Sequence, residues 1–97
     1  MFEKDKPIRN ERYLRWVKSL PSCISGLPAD DPHHIIGMGR GKMGGKDCDL
    51  FTMPVTRLEH QLIHNSPKDY EQWKYVAMTL RQAVKEGVLI FNPEVLK

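Results

Sequence analysis

Asp31-Pro32-His33-His34-Ile35-Ile36-Gly37, followed by Leu50-Phe51-Thr52-Met53-Pro54 and then by His60-x-x-x-His64, is the stretch on which the fold of this chain turns. It holds all 4 histidines of the sequence, an adjacent pair and, after 25 intervening residues, a second pair at helical spacing. His33-His34-Ile35-Ile36 is a short β-prone run. Adjacent residues on a strand face opposite ways, so one imidazole can bind a metal ion while the other stays free for proton transfer. Leu50-Phe51-Thr52-Met53 is expected to form a second short strand, ended by Pro54. Arg57 to Asn65 reads as a short helix, with Leu58, Leu62 and Ile63 turned inward. Histidines at i and i+4 lie on one helical face, where their imidazoles converge on a single ion.

The two strands are joined by Gly37-Met38-Gly39-Arg40-Gly41-Lys42-Met43-Gly44-Gly45-Lys46, in which 5 of 10 residues are glycine. That density makes any regular element entropically costly, so the segment is a loop. Gly39 to Gly44 satisfies G-x-G-x-x-G literally. A dinucleotide fingerprint, however, sits on a strand-to-helix turn, whereas this loop leads into another strand, so that reading is rejected. The glycines instead permit close backbone approach, and Arg40, Lys42 and Lys46 are placed to contact phosphates.

Outside this centre the signals are helical. Residues 1–9, charged and containing Pro7, are expected to be an extended arm. Asn10 is a good N-cap for a helix over residues 10–20 that stops at Pro21. Its inward residues are Tyr13, Leu14, Trp16, Val17 and Leu20, which leaves Arg12, Arg15 and Lys18 outside. Pro21 to Pro32 is rich in breakers, with room for one short strand around Ser22 to Ser25. Ser66-Pro67-Lys68-Asp69 supplies an N-cap, a proline at the first helical position and an acid to close a capping box, which places a long helix at 67–86. Tyr70, Trp73, Ala77, Leu80 and Val84 form its apolar stripe, and Gly87 stands at the C′ position. Val88-Leu89-Ile90-Phe91 opens the tail, 87–97, and is expected to fold back on the core. The whole reads as one α+β domain over 1–97, with its strand, loop, strand and helix at 22–66.

Composition narrows the function. The chain carries 15 Lys and Arg against 12 Asp and Glu, a net charge of +3 that suggests a polyanionic partner. No apolar run reaches the roughly 20 residues that span a bilayer, and Met1 to Lys6 lacks a signal-peptide core, so no membrane partner and a cytoplasmic setting are expected. Cys23 and Cys48 lie in no C-x-x-C pair, and buried thiols are their expected fate.

Asp31-Pro32-His33-His34-Ile35-Ile36-Gly37, the Gly/Lys loop, Asp49-Leu50, Met53-Pro54 and His60-x-x-x-His64 together resemble the HNH (ββα-metal) endonucleases. The likeness covers residues 22–66 and is nearest the short phage-type subgroup associated with recombination. It implies a ββα-metal core, which the N-terminal helix and the long C-terminal helix read above would flank. By the same likeness, His34 is the general base, and His33, His60 and His64 hold a divalent ion (Mg²⁺, Mn²⁺, Ni²⁺ or Zn²⁺). Asp49, grouped with His34 in the catalytic machinery, stands where many members have an Asn that braces the loop. DNA is the implied substrate, a recombination protein the implied further partner, and the cytoplasm of a bacterial host the implied setting. The sequence departs from many relatives in keeping only Cys23 of their paired C-x-x-C motifs, Thr56 and Glu59 standing at the second pair, so packing must hold the core. Asp31 or Asp30 is placed to orient an imidazole. The rival reading is a non-catalytic DNA-binding module with a structural zinc.

If the loop grips phosphates, each contact releases counterions and binding weakens steeply with salt. Replacing Lys42 and Lys46 together with Ala is expected to flatten the slope of log affinity against log salt by about one to two units on any duplex, with metal affinity unchanged. Fluorescence anisotropy over a salt series measures it.

Overall fold

The computed structural model of the chain describes residues 7–37 and 47–90. Its elements run α1 (Glu11–Lys18), β1 (Asp31–His34), β2 (Thr52–Val55), α2 (Arg57–Asn65), one 3-10 turn (Pro67–Asp69) and α3 (Gln72–Lys85). Among the described residues this is a mixed α+β arrangement, three helices around a two-stranded antiparallel sheet. No helix among them is long and apolar enough to cross a membrane.

Both strands sit two residues from where the sequence pattern puts them. β1 begins at Asp31 rather than His33, and β2 runs from Thr52 through Pro54 to Val55 instead of ending before the proline. The register explains why. Asp31 faces Val55, Pro32 faces Pro54, His33 faces Met53 and His34 faces Thr52. Just beyond β1, Ile35 N–H donates to Phe51 O at 3.0 Å. Hydrogen-bonded pairs alternate along an antiparallel ladder, so both prolines fall at intervening positions where the missing N–H costs no ladder bond. All four residues of β2 are buried, because α1 and α3 both pack on it. The expected strand at Ser22–Ser25 is instead a turn, in which Ser22 Oγ accepts from Ile24 N–H and Ser25 N–H.

α1 starts where Asn10 predicts, with the Asn10 side chain accepting from Tyr13 N–H. It ends at Lys18, short of Leu20, with Ser19 as the cap. Tyr13 and Val17 are buried with Ala83, and Trp16, Leu50, Leu80 and Leu89 pack around them. A second cluster joins Met53 and Val55 of β2 to Ile63 of α2, with Cys23, Ile36, Tyr70 and Tyr75 around it.

α2 has the predicted bounds but turns a different face inward. Ile63 is fully buried, whereas Leu58 is 65% exposed and Leu62 44% exposed. The helix is fixed at its start by a capping box: Thr56 Oγ1 accepts from Glu59 N–H, and Glu59 Oε1 accepts from Thr56 N–H. Glu59 Oε1 also accepts from Ser22 Oγ–H at 2.6 Å, which ties α2 to the turn before β1.

α3 starts later than the Ser-Pro-Lys-Asp signal suggests. Residues 67–69 make a single 3-10 turn without a side-chain cap, and Tyr70 returns to an extended conformation before Gln72 opens the helix. The buried face is Gln72, Val76, Thr79 and Ala83, one residue out of phase with the expected stripe, and Trp73 is 40% exposed. The cause is Gln72, whose amide is drawn inward to satisfy buried backbone groups. At the other end Gly87 does occupy C′, with φ +75°, as Gly87 N–H reaches Val84 O and Val88 N–H reaches Ala83 O. Of the tail, Leu89 packs on the Tyr13 cluster and Ile90 is exposed; residues 91–97, like 1–6 of the arm, lie outside the described residues.

Burial alone would raise the Glu59 carboxyl, but its hydrogen bonds from Ser22, Ser25 and Thr56 outweigh that and hold it below its usual 4.5. A depressed carboxylate contributes stability that is complete above the unfolded value and fades as pH falls through the folded one. Glu59→Ala is therefore expected to cost about 1–3 kcal/mol at pH 7, the cost of unpairing buried donors. Urea melts should show the gap narrowing below about pH 4.5.

Candidate functional site

The hairpin and α2 bring three of the four histidines together. His33 lies on the inward face of β1 and is fully buried, while His60 and His64 project from adjacent turns of α2. One ring nitrogen from each of His33, His60 and His64 lies within 4.8 Å of the others, a grouping able to hold a metal ion. The His60 and His64 rings are stacked, 4.7 Å between centroids and 3° between planes. The His33 ring stands edge-on to both, at 4.8 Å from His60 and 5.4 Å from His64.

Protonation in this cluster is set by the partners. His60 Nε2 and His64 Nε2 face each other at 3.0 Å, a distance two lone pairs can share only with a proton or a cation between them. His60 Nδ1 lies 3.4 Å from Asp31 Oδ2, a carboxylate suited to orient that ring, although the angle makes no hydrogen bond. His33 Nε2 lies 3.3 Å from Gln72 Oε1, and His33 Nδ1 is buried with no hydrogen-bond partner. Burial, and then the neighbouring imidazole of His60, push the His33 pKa down to about 4, so its ring is neutral at pH 7. Burial and His64 likewise lower His60, against the opposing pull of Asp31. Three crowded imidazoles, two of them with a buried nitrogen that has no hydrogen-bond partner, make a donor set that fits a divalent transition metal.

His34 points the other way from β1, as alternation requires, and meets Asp49 instead of the cluster. Its Nε2 is 2.7 Å from Asp49 Oδ1. Asp49 is also held by Arg9, whose Nη1 donates to Oδ1 at 3.0 Å, and by Asn10 N–H, which donates to Oδ2 at 2.7 Å. Burial would raise the Asp49 carboxyl, but these three hydrogen bonds, His34 foremost, keep it below its usual value. A cleft of about 420 Å³ runs over both features, lined by Asp31, His33, His34, His60 and His64, with Leu14, Pro32 and Ile36 as its apolar side.

Of the residues singled out in the sequence, His33, His60 and His64 are gathered in one cluster, and His34 pairs with Asp49 beside it. Asp49 is not in the metal grouping. Asp30 is elsewhere, its carboxylate capping Arg57 N–H at 2.9 Å. Arg40, Lys42 and Lys46 lie outside the described residues. Sequence reasoning missed Gln72 and Arg9. Gln72 could have been found from the phase of α3, since it shares a face with Val76 and Ala83; nothing local marks Arg9.

A family model described as "Protein of unknown function (DUF968)" matches residues 2–87. A relative from Escherichia coli (strain K12), described as "Uncharacterized protein YdfU", is 42% identical over 84 residues, which is 81% of this chain and 24% of the relative. The chain thus spans about a quarter of that relative's length. No solved structure matches the chain.

A site of this kind binds metal only in the folded state, so binding raises thermal stability. Wild-type protein is expected to bind Zn²⁺, Ni²⁺ or Mn²⁺ in calorimetry and to melt at higher temperature with the ion. His60→Ala and His64→Ala should each weaken affinity and shrink that thermal gain together. No heat of binding from wild-type protein would exclude the site.

Proposed function

The chain belongs to the DUF968 family, and we propose that it is a metal-dependent endonuclease of the HNH type, hydrolysing DNA phosphodiester bonds. The observation that carries the reading is the meeting, in one cleft, of a three-imidazole donor set and a separate histidine held by a buried carboxylate. The order β1, β2, α2 supports it, because it is the strand, strand and helix order of the HNH endonucleases with the histidines at corresponding positions. The setting proposed is DNA processing or recombination in a phage or prophage, with DNA and a recombination protein as partners.

Phosphodiester hydrolysis needs an activated water, compensation of developing negative charge and help for the departing 3′ oxygen. His33, His60 and His64 would hold the ion. When bound, a divalent ion at three neutral ligands keeps its full charge and supplies Lewis-acid stabilisation to a phosphate and its leaving oxygen. His34 takes the proton from water. With Asp49 accepting the Nε2 proton, the Nδ1 lone pair is the free base, and the fixed carboxylate stabilises the imidazolium that forms. Arg9 and Asn10 hold that carboxylate in turn, so the start of α1 sets the orientation of the base. Leu14 lines the cleft on the side of α1.

The structural-zinc reading is less well supported. Structural zinc draws on thiolates, and neither cysteine is in the metal grouping. Cys23 packs beside Met53, Val55 and Ile63, where burial pushes its thiol up to about 12, and Cys48 is buried beside Tyr13.

The test is plasmid nicking with Mg²⁺, Mn²⁺, Ni²⁺ or Zn²⁺. His34→Ala is expected to keep its fold and metal affinity and to lose cleavage by about 10²–10⁴-fold, the range for a general base. Cleavage near the wild-type rate would remove His34 from that role, and no cleavage by wild-type protein under any of the four ions would remove the nuclease assignment.

A further inference from the structure

We propose that Gln72 is a positioning residue that locks His33 as its Nε2–H tautomer and so presents His33 Nδ1 to a divalent cation. The inference deepens the metal reading above and rests on it for the identity of the ligand, but its physical core is independent of any activity. Gln72 is the first residue of α3 and is fully buried. Its amide has two ends, and the backbone around it leaves them one orientation. Nε2 donates to Ile36 O at 2.8 Å and to Pro67 O at 3.0 Å. Oε1 accepts from Ile36 N–H at 3.0 Å. Flipping the amide would set its NH₂ against the Ile36 N–H and its oxygen against two carbonyl oxygens, losing three bonds at once.

With the orientation fixed, the atom that meets His33 Nε2 at 3.3 Å is an acceptor with no proton of its own. His33 Nε2 must therefore carry the ring proton, and Nδ1 carries the lone pair. That nitrogen is buried and has no hydrogen-bond partner, and it belongs to the residue that joins His60 and His64 in the metal grouping. A ligating histidine generally donates its second ring N–H to an acceptor that fixes the tautomer, and losing that acceptor typically costs about 10–100-fold in metal affinity. A neutral amide suits this site, because it orients the ring without adding charge. Pro67 and Gly37 complete the clamp. Gly37 has φ +65°, and a Cβ there would stand 2.8 Å from Pro67 Cγ, so a glycine lets the end of β1 come against the turn that Gln72 holds.

The experiment compares wild-type protein, Gln72→Met and Gln72→Glu, all ¹⁵N-labelled, by long-range ¹H–¹⁵N correlation of the histidine rings without metal, then by zinc titration at pH 7. Wild-type His33 is expected to carry its proton on Nε2 alone. Gln72→Met keeps the bulk and loses both ends of the amide; its His33 should lose the single tautomer and its zinc affinity should fall about 10–100-fold. Gln72→Glu keeps the acceptor but faces Ile36 O and Pro67 O with a carboxylate. It should keep the tautomer and most of the affinity while losing stability, a rescue that a merely structural role for Gln72 would not give. A wild-type His33 protonated on Nδ1 overturns the proposal whatever the variants do. So does Gln72→Met with the Nε2–H tautomer and wild-type zinc affinity. Wild-type protein that shows the Nε2–H tautomer, lost in Gln72→Met, but binds no zinc would uphold the lock and overturn the metal reading. If Gln72→Met does not fold, the wild-type tautomer and Gln72→Glu decide.

Discussion

Gln72 is wholly buried, and its amide has to find four partners inside the protein or leave polar atoms stranded at about 1–3 kcal/mol each. That requirement organises much of the chain. It draws the first turn of α3 against the end of β1, halts the helix-start signal at residues 66–69 in a single 3-10 turn, and sets which face of α3 looks inward. It also reaches His33, so the placement of a long helix and the protonation of one imidazole are parts of the same constraint.

The same device recurs at two buried acids. Asp49 joins the start of α1 to β1 by accepting from Arg9, Asn10 N–H and His34. Glu59 joins α2 to the turn at Ser22 while closing its own capping box. The apolar core is small and divided, Tyr13, Val17 and Ala83 in one cluster and Met53, Val55 and Ile63 in another. A chain of 97 residues buries a modest share of its surface, and paired zinc-binding thiols are missing. Polar clamps between elements take over part of the holding. Each is directional, which suits a site whose geometry matters more than its total stability.

How much of the fold is legible in the sequence depends on which forces are local. The Asn10 cap, the bounds of α2 and the C′ glycine at 87 are set within a few residues and can be read there. The histidine spacing is legible for the same reason, since i and i+4 share a helical face whatever surrounds them. The strand positions are not. Prolines argue against strands unless their register is known, and register is a property of the pair, so Pro32 and Pro54 conceal the bounds of β1 and β2, though not the strands themselves, from single-sequence reading. The phase of α3 is concealed by Gln72 and Thr79, polar residues that look solvent-facing until their buried partners are seen. Arg9 and Asp49 are 40 residues apart in the chain, and nothing near either announces the other.

The crowding of the histidines bears on why they are brought together at all. Three imidazoles within 4.8 Å are a poor arrangement for an unliganded protein: burial disfavours a proton on His33, each charged ring disfavours the next, and His60 Nε2 and His64 Nε2, 3.0 Å apart, need one proton between them. Apolar residues would pack the same space at lower cost. A shared cation would suit the same arrangement, since it needs neutral rings and takes their free nitrogens as donors. The cluster also opens on a cleft instead of closing in a core, and His34 shares that cleft. A purely structural ion would gain from a fourth protein ligand, and the cysteines are the obvious source. Both are spent on packing elsewhere. Three such donors beside a cleft would leave room for a substrate, which is what the catalytic ion proposed above would require.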